Sequence, residues 1–186
     1  MNCRNPADII IEAGQLLQER GLVVRTWGNV SVRTDASHFS ITPTGARYET
    51  LQETDIVQVS LETMQATGHR LPSSEILVHA KIYRCFPNIS FILHTHQNWA
   101  SLLSLFCYGK MGCIPIKEDW VHLLGSALPV AEYAEAGTEK IAQNLIDAIL
   151  DSSKKYKCSS FNEYTEESSK YIESGLALMA NHGVVV

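Results

Sequence analysis

The sequence predicts an α/β fold in which helices cover a mainly antiparallel β-sheet. Three observations carry that expectation. Apolar residues recur at helical spacing in separate windows near 6–20, 75–86 and 138–149. Short alternating runs bounded by turn residues lie between them. Two of those runs, 30–33 and 39–42, flank Thr34-Asp35-Ala36-Ser37, which makes 30–42 a hairpin. Hairpins interleaved with helices specify an antiparallel sheet with helical cover.

The first helix presents Ile10, Ala13, Leu16 and Leu17 on one face and stops at Gly21. Pro43-Thr44-Gly45 breaks the strand after the hairpin, and 55–59 is a further strand. Ser73-Ser74-Glu75 opens a helix to about Phe86, with Ser73 or Ser74 as its N-cap and Ile76, Leu77, Ala80 and Tyr83 on its apolar face. Pro87-Asn88 ends that helix, and 89–94 is a strand that runs into two histidines. Residues 98–106 read as helical. Pro115 and Pro129 flank a short helix with Trp120, Leu123 and Leu124. The final helix buries Ile141, Leu145 and Ile149, and the polar stretch 151–170 reads as a surface insertion. Strand character returns over 176–186, interrupted by Asn181-His182-Gly183.

The 186 residues suit one domain, 1–186. A chain of this size buries roughly 70% of its unfolded surface and needs no disulfide or metal staple to fold. The net charge is −5 with no basic stripe, which speaks against nucleic acid. Arg4, Asp8, Glu12 and Glu19 make the first twenty residues an amphipathic helix rather than a leader, and no run is long and apolar enough to span a membrane. The five cysteines show no C-x-x-C spacing and read as reduced thiols of a cytoplasmic protein. Val184-Val185-Val186 ends the sequence on a buried-type strand, so we expect further chain or a second subunit to cover it.

Chemistry concentrates in four places. His94 and His96 alternate along a strand, so both imidazoles point to one side. His182, beside a glycine, is a third candidate. Three histidines with an open fourth position describe a catalytic zinc site. Glu75, at a helix start, reads either as a carboxylate serving that metal or as a residue complementing the helix dipole. Ser73 and Ser74 read either as an anion site or as plain capping residues. Gly28-Asn29 and Thr44-Gly45 are turns, or two loops completing a phosphate pocket. Taken together they describe a site that binds a phosphate, chelates a carbonyl and a hydroxyl, and stabilises an enediolate.

The ordered segments Gly28-Asn29-Val30-Ser31-Val32-Arg33, Ile41-Thr42-Pro43-Thr44-Gly45, Leu71-Pro72-Ser73-Ser74-Glu75, His94-Thr95-His96 and Asn181-His182-Gly183 resemble the class II aldolase/adducin family, nearest its L-fuculose-phosphate aldolase branch. The resemblance spans nearly the whole chain. It implies a three-layer αβα fold, cytoplasmic carbohydrate metabolism and a homotetramer with sites at subunit interfaces. It implies one Zn²⁺ per subunit on His94, His96 and His182, with Glu75 as resting ligand and then acid/base. The phosphate pocket maps onto Gly28, Asn29, Thr44, Gly45, Ser73 and Ser74. The implied reaction cleaves a ketose phosphate, such as L-fuculose 1-phosphate, into dihydroxyacetone phosphate and an aldehyde. An L-ribulose-5-phosphate 4-epimerase or a methylthioribulose-1-phosphate dehydratase stands beside it, and an adducin-like interaction module is the non-catalytic alternative. Adducin-like members lack the metal histidines that this chain keeps. Two departures stand out. Where fuculose aldolases carry a tyrosine, the sequence reads Ile116-Lys117-Glu118-Asp119-Trp120, leaving Asp119, His122 and Tyr108 as candidate second proton donors. The second is the ending, where the sequence is expected to lack the family's usual C-terminal strand and helices.

Overall fold

The computed structural model describes residues 4–107, 113–116, 127–155 and 175–186. Helix α1 spans Pro6–Glu19, and strands β1 (Gly28–Arg33) and β2 (His38–Ile41) form the expected hairpin. Strands β3 (Val57–Ser60) and β4 (Ala66–Thr67) follow, then helix α2 (Ile76–Cys85) and strand β5 (Phe91–Thr95). Helix α3 is Asn98–Cys107, β6 is Cys113–Pro115, β7 is Ala127–Ala131 and α4 is Glu139–Lys155. Strands β8 (Ala177–Met179) and β9 (Gly183–Val185) close the series.

These strands form one sheet in the order β4-β3-β2-β1-β5-β9-β8-β7-β6. The β7–β8 pair is parallel and every other pair among the described residues is antiparallel. Helices α2 and α4 pack on one face through Val78, Ile82, Tyr83, Ile141 and Leu145, against Phe39, Ile92, Ala177 and Met179. Helix α1 covers the other face through Ile10 and Leu17, against Val30, Val32 and Tyr48. On that same face Ala100 of α3 packs with Leu128, Val130, Leu178 and Val184. The result is the three-layer αβα sandwich, with a mixed sheet that is antiparallel in all but one pairing. Each fully buried Val, Leu or Ile contributes about 1.5–3 kcal/mol, so these three clusters hold the layers together.

Several local expectations change. In α1 the buried set is Ala7, Ile10, Gly14 and Leu17, while Leu16 is 48% exposed. A β-carbon on Gly14 would stand 2.0 Å from Cδ1 of Tyr48, so the ring occupies the space and rotates the packed face away from Leu16. Helix α2 begins at Ile76 with Glu75 as N-cap residue, one or two positions later than the serines suggest. Ser73 Oγ instead accepts from the Glu75 backbone N–H at 3.3 Å. Pro115 and Pro129 lie within strands β6 and β7. The short helix predicted around Trp120, Leu123 and Leu124 lies outside the described residues. Residues 151–155 continue α4 rather than starting an insertion, and 156–174 lie outside the described residues. Among the described residues no helix is long and apolar enough to cross a membrane. Cys85 and Cys113 are free thiols.

Candidate metal centre

The site forms where the ends of β1, β5 and β9 meet the start of α2. Strand register does the first part of the work, because β1 pairs with β5 so that Asn29 stands opposite His94 and Gly28 opposite Thr95. Paired residues share a face, so Asn29 and His94 both look toward α2. Strand β5 ends at Thr95, and His96 comes directly after it, with its ring centroid 4.8 Å from that of His94. Strand β9 places Val185 opposite His94, which brings the turn before it alongside. That turn carries Asn181 at φ +54°, and His182 N donates to the Met179 carbonyl at 3.1 Å. Gly183 is required there, because a β-carbon would lie 2.5 Å from the Thr95 carbonyl oxygen and 3.2 Å from the His94 ring. Gly28 meets the same constraint on the other side, at φ +120° with the His94 carbonyl oxygen 2.8 Å from any β-carbon.

The side chains of Glu75, His94, His96 and His182 converge, with one ligand atom from each and all four within 4.8 Å of one another. Glu75 bridges two imidazoles, with Oε2 2.9 Å from His94 Nε2 and Oε1 2.8 Å from His182 Nε2. His94 and Glu75 are buried and His96 and His182 half-buried. The protonation of His94 is set by its back contact. Nδ1 donates to the Val184 carbonyl oxygen at 3.0 Å, so Nε2 is the atom left to face the site, free to bind either a proton or a metal ion. That nitrogen stands 2.9 Å from His96 Nε2 and 2.9 Å from Glu75 Oε2. Acceptor atoms at this spacing are held by a shared cation or proton, and a carbonyl behind the ring is the usual way a histidine ligand is oriented. The donor set of imidazole nitrogens and one carboxylate therefore fits a divalent metal ion with zinc-type ligation.

Electrostatics agree. Burial raises the Glu75 carboxyl, but hydrogen bonds and charges from His182 and His94 outweigh it and hold the group far below the ordinary carboxylate range. Burial, with His94 and His182 alongside, lowers His96 to about 4, which keeps its ring neutral and able to ligate at neutral pH.

A cleft of about 370 Å³ opens over Glu75, His96 and His182. Its other walls include Gly28, Asn29, Thr44, Gly45, Ser73 and Ser74, so all six residues read as a phosphate pocket line one cavity. Two backbone hydrogen bonds zip the loops together, Thr44 N to the Leu71 carbonyl at 3.0 Å and Ser73 N to the Thr42 carbonyl at 3.1 Å. Thr44, Gly45 and Ser74 are exposed, whereas Ser73 is buried. Asn29 is only 4% exposed, and its amide is already engaged by Glu75 and by His79. One Nδ2 hydrogen remains for an anion. Asp119, His122 and Tyr108 lie outside the described residues.

Thr26, Trp27 and Ala136 also line the cleft, and the sequence alone does not single them out. Trp27 is 55% exposed and its ring centroid stands 6.1 Å from that of His96. The sequence reading likewise assigns no part in the site to Ser31, His79 and Tyr83, buried behind Glu75. Their signal is present, since Glu75, His79 and Tyr83 recur every fourth residue along one helical face.

A sequence profile of the Class II Aldolase and Adducin N-terminal domain matches residues 8–186. The chain belongs to the class II aldolase/adducin family. Solved structures agree with that membership. An L-fuculose 1-phosphate aldolase superimposes with a TM-score of 0.77 at 28% identity, covering 100% of this chain and 76% of that one. YgbL from Klebsiella pneumoniae, whose description names aldolase, epimerase and decarboxylase activities as candidates, superimposes at 0.74 with 25% identity, covering 97% of this chain and 77% of that one. The L-fuculose-1-phosphate aldolase from Thermus thermophilus shares the fold at 0.69 and 24% identity, covering 97% and 77%. Class II aldolases are metal-dependent, and the His/Glu cluster of this family member offers a site for the ion.

Proposed function

We propose that this chain is a zinc-dependent lyase that cleaves a phosphorylated ketose of the L-fuculose 1-phosphate type into dihydroxyacetone phosphate and an aldehyde. The observation that supports it is the cleft in which Glu75, His96 and His182 of the four-residue cluster meet the loops at 28–29, 44–45 and 73–74. His94, His96 and His182 would hold one Zn²⁺, with Glu75 completing the resting set. Bound there, the ion supplies Lewis-acid stabilisation of the negative charge that develops on the ketose oxygens.

The chain's own residues do the rest. Backbone and hydroxyl groups at Gly28, Asn29, Thr44, Gly45, Ser73 and Ser74 anchor the phosphate and fix the reacting carbons relative to Glu75. When the C3–C4 bond breaks, its electron pair stays with the dihydroxyacetone phosphate half, and Glu75, freed from its imidazoles by the incoming substrate and protonated from solvent, delivers that proton to C3. The C4 hydroxyl proton goes to a second group, for which Asp119, Tyr108 and His122 are the candidates. A homotetramer in the cytoplasm belongs to the same reading, as does the single domain over 1–186. The epimerase and dehydratase readings share this cleft and differ in the steps after bond breaking or proton loss. The names attached to YgbL include an epimerase, which keeps that reading in view.

Glu75→Gln tests the proposal. The variant retains zinc and loses about 10²-fold or more in turnover, as expected for a missing acid/base. Full turnover removes Glu75 from the chemistry. His96→Ala loses its zinc by elemental analysis, and a full complement of zinc in that variant refutes the ligand set. Release of an aldehyde from L-fuculose 1-phosphate, against conversion of L-ribulose 5-phosphate to its epimer, separates lyase from epimerase.

A further inference from the structure

Behind the cleft lies a polar chain that the ligand set does not use. His79 is 0% exposed, and Ser31, Asn29 and Tyr83 are buried with it between β1 and α2. The contacts run in series. Tyr83 Oη is 2.8 Å from Ser31 Oγ, and Ser31 Oγ is 2.6 Å from His79 Nδ1. His79 Nε2 contacts Asn29 Oδ1, and Asn29 Nδ2 is 2.9 Å from Glu75 Oε2.

The hydrogens of this chain can be assigned one after another. A carboxylate oxygen accepts, so the Asn29 amide turns its Nδ2 toward Glu75 and its Oδ1 toward His79. Oδ1 only accepts, so His79 Nε2 carries the hydrogen. A neutral imidazole then has its lone pair on Nδ1, so the Ser31 hydroxyl donates to it. The remaining acceptor capacity of Ser31 takes the Tyr83 hydroxyl hydrogen. Every donor points the same way, and every buried partner is satisfied. In the reverse assignment the Asn29 oxygen would face Glu75 Oε2, two acceptors in contact inside a buried site.

We propose that His79 is a positioning residue, locked as the neutral Nε2–H tautomer by Ser31 and Tyr83, and that it sets the orientation of the Asn29 amide and thereby the placement of the Glu75 carboxylate. The inference rests on Glu75 serving the metal site. His79 touches neither the substrate cleft nor the ligand atoms, and it acts through Asn29. The fully buried ring has burial as the main cause of its lowered basicity, with the titration point pushed down to about 3, which agrees with a neutral imidazole.

Two measurements test it on the full chain. Nitrogen-15 spectra of histidine-labelled, metal-free protein report the tautomer of each ring. His79 is expected with Nε2 protonated and Nδ1 bare at neutral pH; the opposite tautomer or an imidazolium overturns the proposal. Zinc affinity of two variants, measured by competition with a chromophoric chelator, reports the consequence. His79→Gln keeps a donor toward Asn29 and retains affinity within about threefold, whereas His79→Leu loses about 10–100-fold, the usual range for an outer-shell partner. Equal affinities in Gln and Leu, whether both normal or both impaired, reduce His79 to packing and overturn the proposal. If neither variant folds, the wild-type spectrum alone decides. Failure of wild-type chain to bind zinc would sink the metal reading of Glu75, while the tautomer still decides the orientation of Asn29.

Discussion

The two faces of β1 have opposite characters. Val30 and Val32 point toward α1 and enter a dry cluster with Ile10, Leu17 and Tyr48. Asn29 and Ser31, the alternate residues, point toward α2 and join Glu75, His79 and Tyr83 in hydrogen bonds. One strand therefore borders an apolar core on one side and a buried polar network on the other. The apolar face gains stability from area removed from water. The polar face stays buried only because each group finds a partner, and its far end opens on the ligand cluster. Burial of this kind marks where the fold serves the site rather than itself.

The largest effect that sharpens this contrast is expected on the dry side. Ile10→Ala removes a fully buried side chain beneath β1 and should lower unfolding free energy by about 2–5 kcal/mol, read by denaturant titration. Zinc content should stay unchanged in that variant, and loss of metal would show the two faces to be coupled. Ser31→Val, on the wet side, leaves His79 Nδ1 and Tyr83 Oη without their shared partner. It should cost about 1–3 kcal/mol despite the added apolar surface. A variant as stable as wild type would mean that the polar chain contributes nothing to the fold.

Acid is the third probe. His96 titrates at about 4 and His79 at about 3 in the folded chain, against about 6.5 unfolded. Between those values the unfolded chain binds more protons, so stability falls as pH drops through 6.5 toward 4 and below. Glu75, held low by its imidazoles, acts in the same direction below the ordinary carboxylate range. Each group contributes at most about 1.4 kcal/mol per pH unit. The dry face holds Tyr48, which burial pushes up to about 12, outside this window. The slope measured on metal-free protein should therefore be the same in wild type and in Ile10→Ala. A slope altered by Ile10→Ala would assign the acid response elsewhere.

The dry face is also the legible one. Alternation at Val30 and Val32 and helical spacing at Ile10 and Leu17 place those residues from sequence alone. Helical spacing misplaces Leu16 because the Tyr48 ring, distant in sequence, fills the space above Gly14. Strand alternation and a neighbouring glycine single out His94, His96 and His182, yet their convergence depends on β5–β9 register, which no local pattern encodes. The serine pair puts Glu75 one or two positions too deep in its helix, because the helix begins only after both serines, with Glu75 itself at the cap position. Strands β6 and β7 are hidden because Pro115 and Pro129 interrupt the strand signal. His79 is one more helical position in the sequence, and only its partners across the sheet give it a role.

Gly183, pressed against the Thr95 carbonyl, has a thermodynamic corollary. It fastens the third imidazole to the central strands, so Glu75 and His182, 107 residues apart, can meet only after the sheet has closed between them. Cation capture is thereby linked to the folding equilibrium, and a saturating ion adds RT ln(1 + [L]/Kd) to it. Stripping the ion should quicken amide exchange along β5 and β9 while leaving β3 and β4 slow to follow.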